Sequence, residues 1–186
     1  MKIERFAIEG PVRIRPCIFE DSRGVFCETY SERGFAEAIG QVRFVQDNIS
    51  FSHKRGTVRG LHFQAPPMAQ AKLVRVLRGS IYDVAVDLRK DSPTYGTHVA
   101  VELRAGDGTQ FFVPRGFLHG FCTLKDDTEV FYKVDALHSA AHDRAVHWAD
   151  PDLAIPWPIR PEEAVLSEKD AKAPPLRELA ARAGEF

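Results

Sequence analysis

The chain is 186 residues long, with 44% apolar and 27% charged residues, the balance of a folded globule rather than a disordered tail. A single domain of that length buries roughly 70% of its unfolded surface. Its 25 basic and 26 acidic side chains leave a net charge of −1, so no overall field attracts nucleic acid or anionic lipid, and any anion site must be local.

The opening "MKIERFAIEG" is interrupted by charges and predicts no secretory leader. No run reaches the roughly 20 apolar residues of a membrane span. Three cysteines, Cys17, Cys27 and Cys122, are odd in number and never spaced C-x-x-C, which predicts a reducing cytoplasm and neither disulfides nor a zinc ribbon.

Alternation of apolar and polar residues starts at Pro11 and predicts a first strand over 25–30. "SERGFAEAIG" then reads as a short helix, with Ser31 as N-cap, Phe35 and Ile39 four residues apart, and Gly40 as the stop. Strands are predicted over 42–51, 72–77, 81–88, 98–103, 110–113 and 129–134, separated by "LRGS", "KDSPTYG", "AGDG", "PRG" and "KDDT". This spacing indicates an all-β sandwich or barrel, not a βαβ sheet. "WADPDLAIPWPIRPEE" is too rich in proline for regular structure and reads as an extended strap. "PPLRELAARAG" reads as a closing helix, with Gly184 after it. The expectation is one domain over 1–186, with its core at about 11–150 and the strap and helix over 151–186.

Residues of equal parity share one face of a strand. Lys72 therefore shares a face with Val74 and Val76, and Tyr132 with Val130 and Val134. His62 goes with Gln64, Gln46 with Asn48 and Ser50, and Phe26 with Glu28 and Tyr30. A lysine on a valine face is costly to bury without a partner. Lys72 and Tyr132 are explained together if the inner face lines a wet, polar pocket.

The segment "GLHFQ" resembles the cupin pattern, in which two histidines, an acid and a later histidine hold a metal. Here Gln64 stands where the second histidine is expected, and "QAKLV" offers Gln70 and the cation Lys72 instead of a carboxylate. "PRGFLHGF" resembles the second cupin segment and supplies His119. Two ring nitrogens beside an ammonium fall short of the three or four donors of a metal site. His53, His98, His138, His142 and His147 are scattered without ligand spacing. The reading is a cupin-like jelly roll whose site is rebuilt without metal.

Such a site can still move protons. His62 is the natural proton acceptor near neutrality. Tyr132 can donate a proton from a fixed direction, and Lys72 can stabilise an enolate oxygen. Arg59, in "VRGLH", suits a phosphate on the substrate. Together they fit proton removal beside a carbonyl and proton return to the opposite face of the carbon.

The motifs "DSRGVFCETY", "FVQDNISFS", "GTVRGLHFQAPPMAQAKLVRVLRGSIYDVAVDLRKDSPTYG", "VPRGFLHGF", "FYK", "WADPDLAIPWP" and "LSEKD" resemble the dTDP-4-dehydrorhamnose 3,5-epimerase family, in order, from about Asp21 to Asp170. The resemblance implies a cupin-type jelly roll, a homodimer, and neither metal nor other cofactor. It implies His62 as proton acceptor, Tyr132 as proton donor, Lys72 at the C4 oxygen and Asp170 as the carboxylate orienting His62. It further implies Arg23, Phe26 and Glu28 at the base, Gln46 and Asn48 at sugar or nucleotide, Arg59 and His119 at diphosphate and sugar, and Lys169 at the ligand. One segment departs from the family: "LHSAAHDRAVHWADP" puts His138 where a tyrosine usually stacks on the base, and Asp143 where a glutamate usually contacts the ligand.

The implied activity is inversion of C3 and C5 of dTDP-4-dehydro-6-deoxy-D-glucose on the route to activated L-rhamnose. A relative inverting C3 alone would share the same catalytic residues. Two other classes are a metal-dependent cupin oxygenase using His62, His119 and Gln64, and a non-catalytic sugar-nucleotide binding module.

Overall fold

The computed structural model describes residues 1–180. Among these, the strands in chain order are β1 (Lys2–Arg5), β2 (Val12–Arg15), β3 (Ile18–Asp21), β4 (Gly24–Cys27), β5 (Gln46–Ser52), β6 (Val58–Gln64), β7 (Lys72–Arg78), β8 (Ser80–Asp87), β9 (His98–Arg104), β10 (Gln110–Val113), β11 (Phe117–Thr123), β12 (Thr128–Val134) and β13 (Asp143–Ala145). The α-helices are α1 (Glu32–Ala38), α2 (Glu168–Ala171) and α3 (Leu176–Ala180), and one 3-10 turn spans Pro161–Glu163.

Six strands form one sheet in the order β1-β2-β10-β7-β12-β5, and five form the other in the order β13-β6-β11-β8-β9. The hairpin β3-β4 stands as a separate two-stranded sheet. Every strand pair is antiparallel. The two large sheets stack as the predicted jelly roll.

Their facing sides supply one apolar core. Val74, Val76, Phe111, Val113 and Val130 come from the six-stranded sheet, and Ile81, Ala85, Val101, Leu103 and Phe121 from the other. A second cluster covers the outer side of the five-stranded sheet, where Leu61, Phe63, Val84 and Leu118 meet Leu153, Leu176 and Leu179 of the strap and α3. The strap is irregular, as expected; Trp157 donates its indole N–H to the Trp148 carbonyl at 2.8 Å, and Asp150 accepts the Leu176 N–H at 2.6 Å. Gly184 lies outside the described residues.

Helix α1 begins where the sequence predicts. Ser31 accepts the Gly34 N–H at 3.3 Å as N-cap, and Phe35 packs edge-on against Phe44 and Phe112. Burying such a phenylalanine stabilises the fold by about 1.5–3 kcal/mol. This contact explains why the strand expected over 42–51 starts only at Gln46: Val42 and Phe44 are drawn out of line to cover α1. The strand expected over 25–30 likewise ends at Cys27, because Tyr30 turns away to join the same cluster. Pairing also begins earlier than Pro11, since β1 and β2 join the six-stranded sheet.

Candidate active site

Between the two sheets the apolar filling gives way to a polar cavity of about 410 Å³. Its walls include Arg59 and His62 from β6, Lys72 from β7, His119 from β11, Tyr132 from β12, and Lys169 and Asp170 from α2. Strand parity places Tyr132 and Lys72 inward beside Val130 and Val74, as the sequence predicts. His62 thus stands on one sheet, and Tyr132 and Lys72 on the sheet opposite.

Arg59 and His62 are three residues apart, so simple alternation would put them on opposite faces. Arg59 pairs with Phe121 and His62 with His119, so three steps along β6 match two along β11. This bulge turns both side chains into the cavity. It needs the two backbones to close on each other. At Gly60, with φ +120°, a Cβ would lie 2.7 Å from the His119 carbonyl and from the Gly120 Cα, so glycine is required there.

Asp170 reaches the site from 108 residues away. Ser167 caps α2 by accepting the Asp170 N–H at 3.1 Å and so aims the carboxylate inward. His62 Nε2 and Asp170 Oδ1 are 2.6 Å apart. Burial would raise the Asp170 carboxyl, but hydrogen bonds with His62, Ser167 and the Gly60 backbone outweigh it and hold the group below the usual carboxylate range. An ionised carboxylate only accepts, so Nε2 carries the hydrogen and Nδ1 is left as the basic nitrogen.

Lys72 is partly buried on the cavity wall, and burial lowers its ammonium to about 8, with Asp143 and Asp83 opposing the shift and Lys169 adding to it. Burial also raises the Tyr132 phenol, against a smaller pull from Arg59, so Tyr132 keeps its proton at neutral pH. Arg59 is braced by its Nε donating to Ser52 Oγ at 3.2 Å and a terminal nitrogen donating to the Phe51 carbonyl at 3.0 Å. Lys169 is ion-paired with Asp143 at the rim.

Gln64, the residue in the cupin histidine position, is fully engaged elsewhere. Its amide nitrogen donates to the Met68 and Leu137 carbonyls, and its oxygen accepts the Ser139 N–H at 2.6 Å. Among the described residues, no group of three or more His, Cys, Asp or Glu side chains converges as metal ligands.

Other sequence candidates lie apart from this cavity. Arg23 is bound to Asp21 at 2.6 Å on the hairpin β3-β4, and Phe26 beside it is 70% exposed. Phe26 and Glu28 border a different hollow of about 380 Å³, near Tyr30 and Phe35. The pairing of Phe26 with Tyr30 on one strand face is corrected, since the strand stops before Glu28. His138 is exposed on the segment leading to β13. Gln46 and Asn48 sit on the inner side of the edge strand β5, hydrogen-bonded to each other at 2.7 Å.

The profile of the family described as dTDP-4-dehydrorhamnose 3,5-epimerase matches residues 5–178. The chain belongs to this family. The family's Sinorhizobium fredii member is 54% identical over 179 residues, covering 96% of this chain and 91% of that protein. The structure of dTDP-6-deoxy-D-glucose-3,5-epimerase from Legionella pneumophila, in complex with dTDP-4-keto-L-rhamnose, superposes with a TM-score of 0.91 at 41% identity, covering 97% and 95% of the two chains. That of the Bacillus anthracis 3,5-epimerase with TDP and PPi bound gives 0.90 at 46% identity, covering 94% and 98%.

Beyond the residues matched from this epimerase family, the sequence reading passed over Ser167, which lines the cavity, and Asp83, which stands behind His119. Ser167 is recognisable only as the N-cap of a helix too short to predict. Asp83, wholly buried with Oδ1 2.6 Å from His119 Nε2, could have been found by the argument used for Lys72. It shares a strand face with Ile81 and Ala85 and so stands out as a charge in the core.

Proposed function

We propose that the chain inverts C3 and C5 of dTDP-4-dehydro-6-deoxy-D-glucose, giving dTDP-4-dehydro-L-rhamnose, by proton transfer through an enolate. His62 Nδ1 removes the proton from a carbon next to the C4 carbonyl, and the electron pair moves onto the C4 oxygen. The Lys72 ammonium carries that negative charge, a contribution of about 2.7–4 kcal/mol for one well-placed donor. Tyr132 then returns a proton from the other side, and its phenolate is neutralised from solvent or by the departing proton. The observation that carries this reading is the placement of His62 and Tyr132 on facing sheets across one cavity.

The test is incubation with the keto-sugar nucleotide in deuterated water, followed by proton NMR. Label at both carbons with inversion is expected. Label at C3 alone would make the chain a 3-epimerase, and label at neither would overturn the proposal.

The ammonium is charged below about 8 and neutral above it. The alkaline limb of kcat/KM should therefore fall near that value, because only the charged form stabilises the enolate. A pH–rate profile flat through pH 9 would count against Lys72 in this role.

For the nucleotide, Arg59 and His119 are assigned to diphosphate and sugar, Lys169 and Asp143 to the rim, and Gln46 and Asn48 to the outer part of the ligand. We further assign Arg23, Phe26, Glu28 and His138 to the base, with the hairpin supplied by a second copy in a homodimer. The outer side of the six-stranded sheet supports this, since Ile49 is 60% and Phe51 41% exposed, and the hairpin adds Phe19 and Val25. Ile49→Asp should give a species near the chain mass of 20.9 kDa in solution, with weakened substrate binding. A mutant that remains dimeric would place the interface elsewhere. The same reading takes the chain as one jelly-roll domain working without metal in a reducing compartment, in keeping with its three unpaired cysteines.

A further inference from the structure

Lys72, on the wall of the active-site cavity, and Asp83, buried behind His119, carry opposite charges without meeting. Asp83 Oδ2 is buried with no hydrogen-bond partner, although its carboxylate belongs to a residue of zero exposure. Across the cavity, no hydrogen bond or ion pair engages the Lys72 ammonium among the described residues, although Asp83 is close enough to act on its charge. A buried carboxylate oxygen and a partly buried ammonium each left unpaired are costly, and collapse into a salt bridge would relieve both. What prevents it is on the same carboxylate: Oδ1 is held 2.6 Å from His119 Nε2, and His119 is itself buried and fixed in β11.

We propose that Asp83 is a positioning residue for Lys72: a counter-charge tethered by His119 so that it keeps the ammonium charged but leaves its hydrogens for the substrate oxygen. The inference rests on the reading of Lys72 as the group that holds the C4 oxygen. It explains why a partly buried amine remains a cation without being consumed by an ion pair. It also gives His119 a second task. Burial disfavours its charged form, with Asp83 opposing that shift, so Nε2–H donates to the carboxylate and Nδ1 is the nitrogen presented as acceptor.

The other groups around Lys72 do not replace Asp83. Asp143, from β13, favours the charged form more than Asp83 does, but its carboxylate is spent in an ion pair with Lys169 of α2, whose own charge disfavours it. Arg59 and His62 from β6, His119 from β11 and Tyr132 from β12 complete the cavity, and none of them brings a negative charge at neutral pH. Asp170 is the remaining carboxylate, and it is committed to His62.

The experiment is Asp83→Asn, in which the amide oxygen can still accept from His119 while the charge is removed. With lysine isotopically labelled in the whole chain, NMR titration follows the Lys72 ammonium directly, and the pH profile of kcat/KM follows its use. In Asp83→Asn both transitions should move down by about one pH unit, the size of a single lost opposite charge nearby. At pH 8 kcat should fall about fivefold while KM changes little. The second variant, His119→Leu, removes the donor that holds Asp83 and so cuts the tether without touching the charge. Its Lys72 transition should move up as the carboxylate closes on the ammonium, and kcat should fall.

A Lys72 transition unmoved in folded Asp83→Asn, or moved down in His119→Leu, overturns the proposal. If neither variant folds, the wild-type titration decides: an amine already neutral at pH 7 overturns it. Because the titration needs no substrate, it remains valid if the wild-type chain shows no epimerisation. That outcome would instead remove the reading of the reaction.

Discussion

His62→Ala is expected to lower proton exchange at C3 and at C5 together, by about 10²–10⁴-fold, the range for loss of one general base. The shared loss follows from His62 being the cavity imidazole that is partly exposed and paired with Asp170, whereas burial disfavours a charge on His119. His119 is the other imidazole there, and its carboxylate partner Asp83 lies on the floor of the core rather than at α2. The fold should survive, because the His62 side chain is 29% exposed and its removal leaves Asp170 with Ser167 and the Gly60 backbone. Exchange is read by NMR in deuterated water and folding by thermal unfolding. Residual exchange at one carbon, at the wild-type rate, would require a second base.

Tyr132→Phe removes one oxygen from the facing sheet and leaves the ring packed against the core. Net inversion should fall by about 10²–10⁴-fold, since the acid that completes each inversion is gone. Loss of the substrate's own proton to solvent should suffer far less, because His62 still removes it and Lys72 still holds the oxygen. The two rates must therefore separate. Equal loss of both would mean that proton removal and return use the same side of the ring.

The parts of the site legible in the sequence lie on regular strands. Lys72 and Tyr132 were marked by parity alone, because β7 and β12 pair in an even register around them and each sets a polar group between valines. Arg59 was paired with His62 through chemistry rather than geometry, and a bulge with a glycine close approach is what joins them. No local pattern announces such a bulge. Strand β11 escaped the alternation test because all seven of its residues are buried, which erases the two-residue period. Asp170 depends on a four-residue helix held by a cap and reaching across the fold, so only the family resemblance pointed to it. The hairpin residues Arg23, Phe26 and Glu28 show a different limit. A sequence motif does not say which copy of a chain a side chain serves, and within one chain they stand away from the cavity. Of the two departures, Asp143 falls near the mouth, where Lys169 already holds the shorter carboxylate in an ion pair, and His138 stands exposed away from it.

A crystal structure with a bound dTDP-hexose bears most directly on how the two walls divide the chemistry. His62 Nδ1 and Tyr132 Oη are predicted to approach the sugar ring from opposite faces, each about 3–3.5 Å from the carbon it serves, with Lys72 Nζ on the C4 oxygen. Both groups on one face, or an imidazole turned to bind a metal ion instead of the sugar, would contradict it.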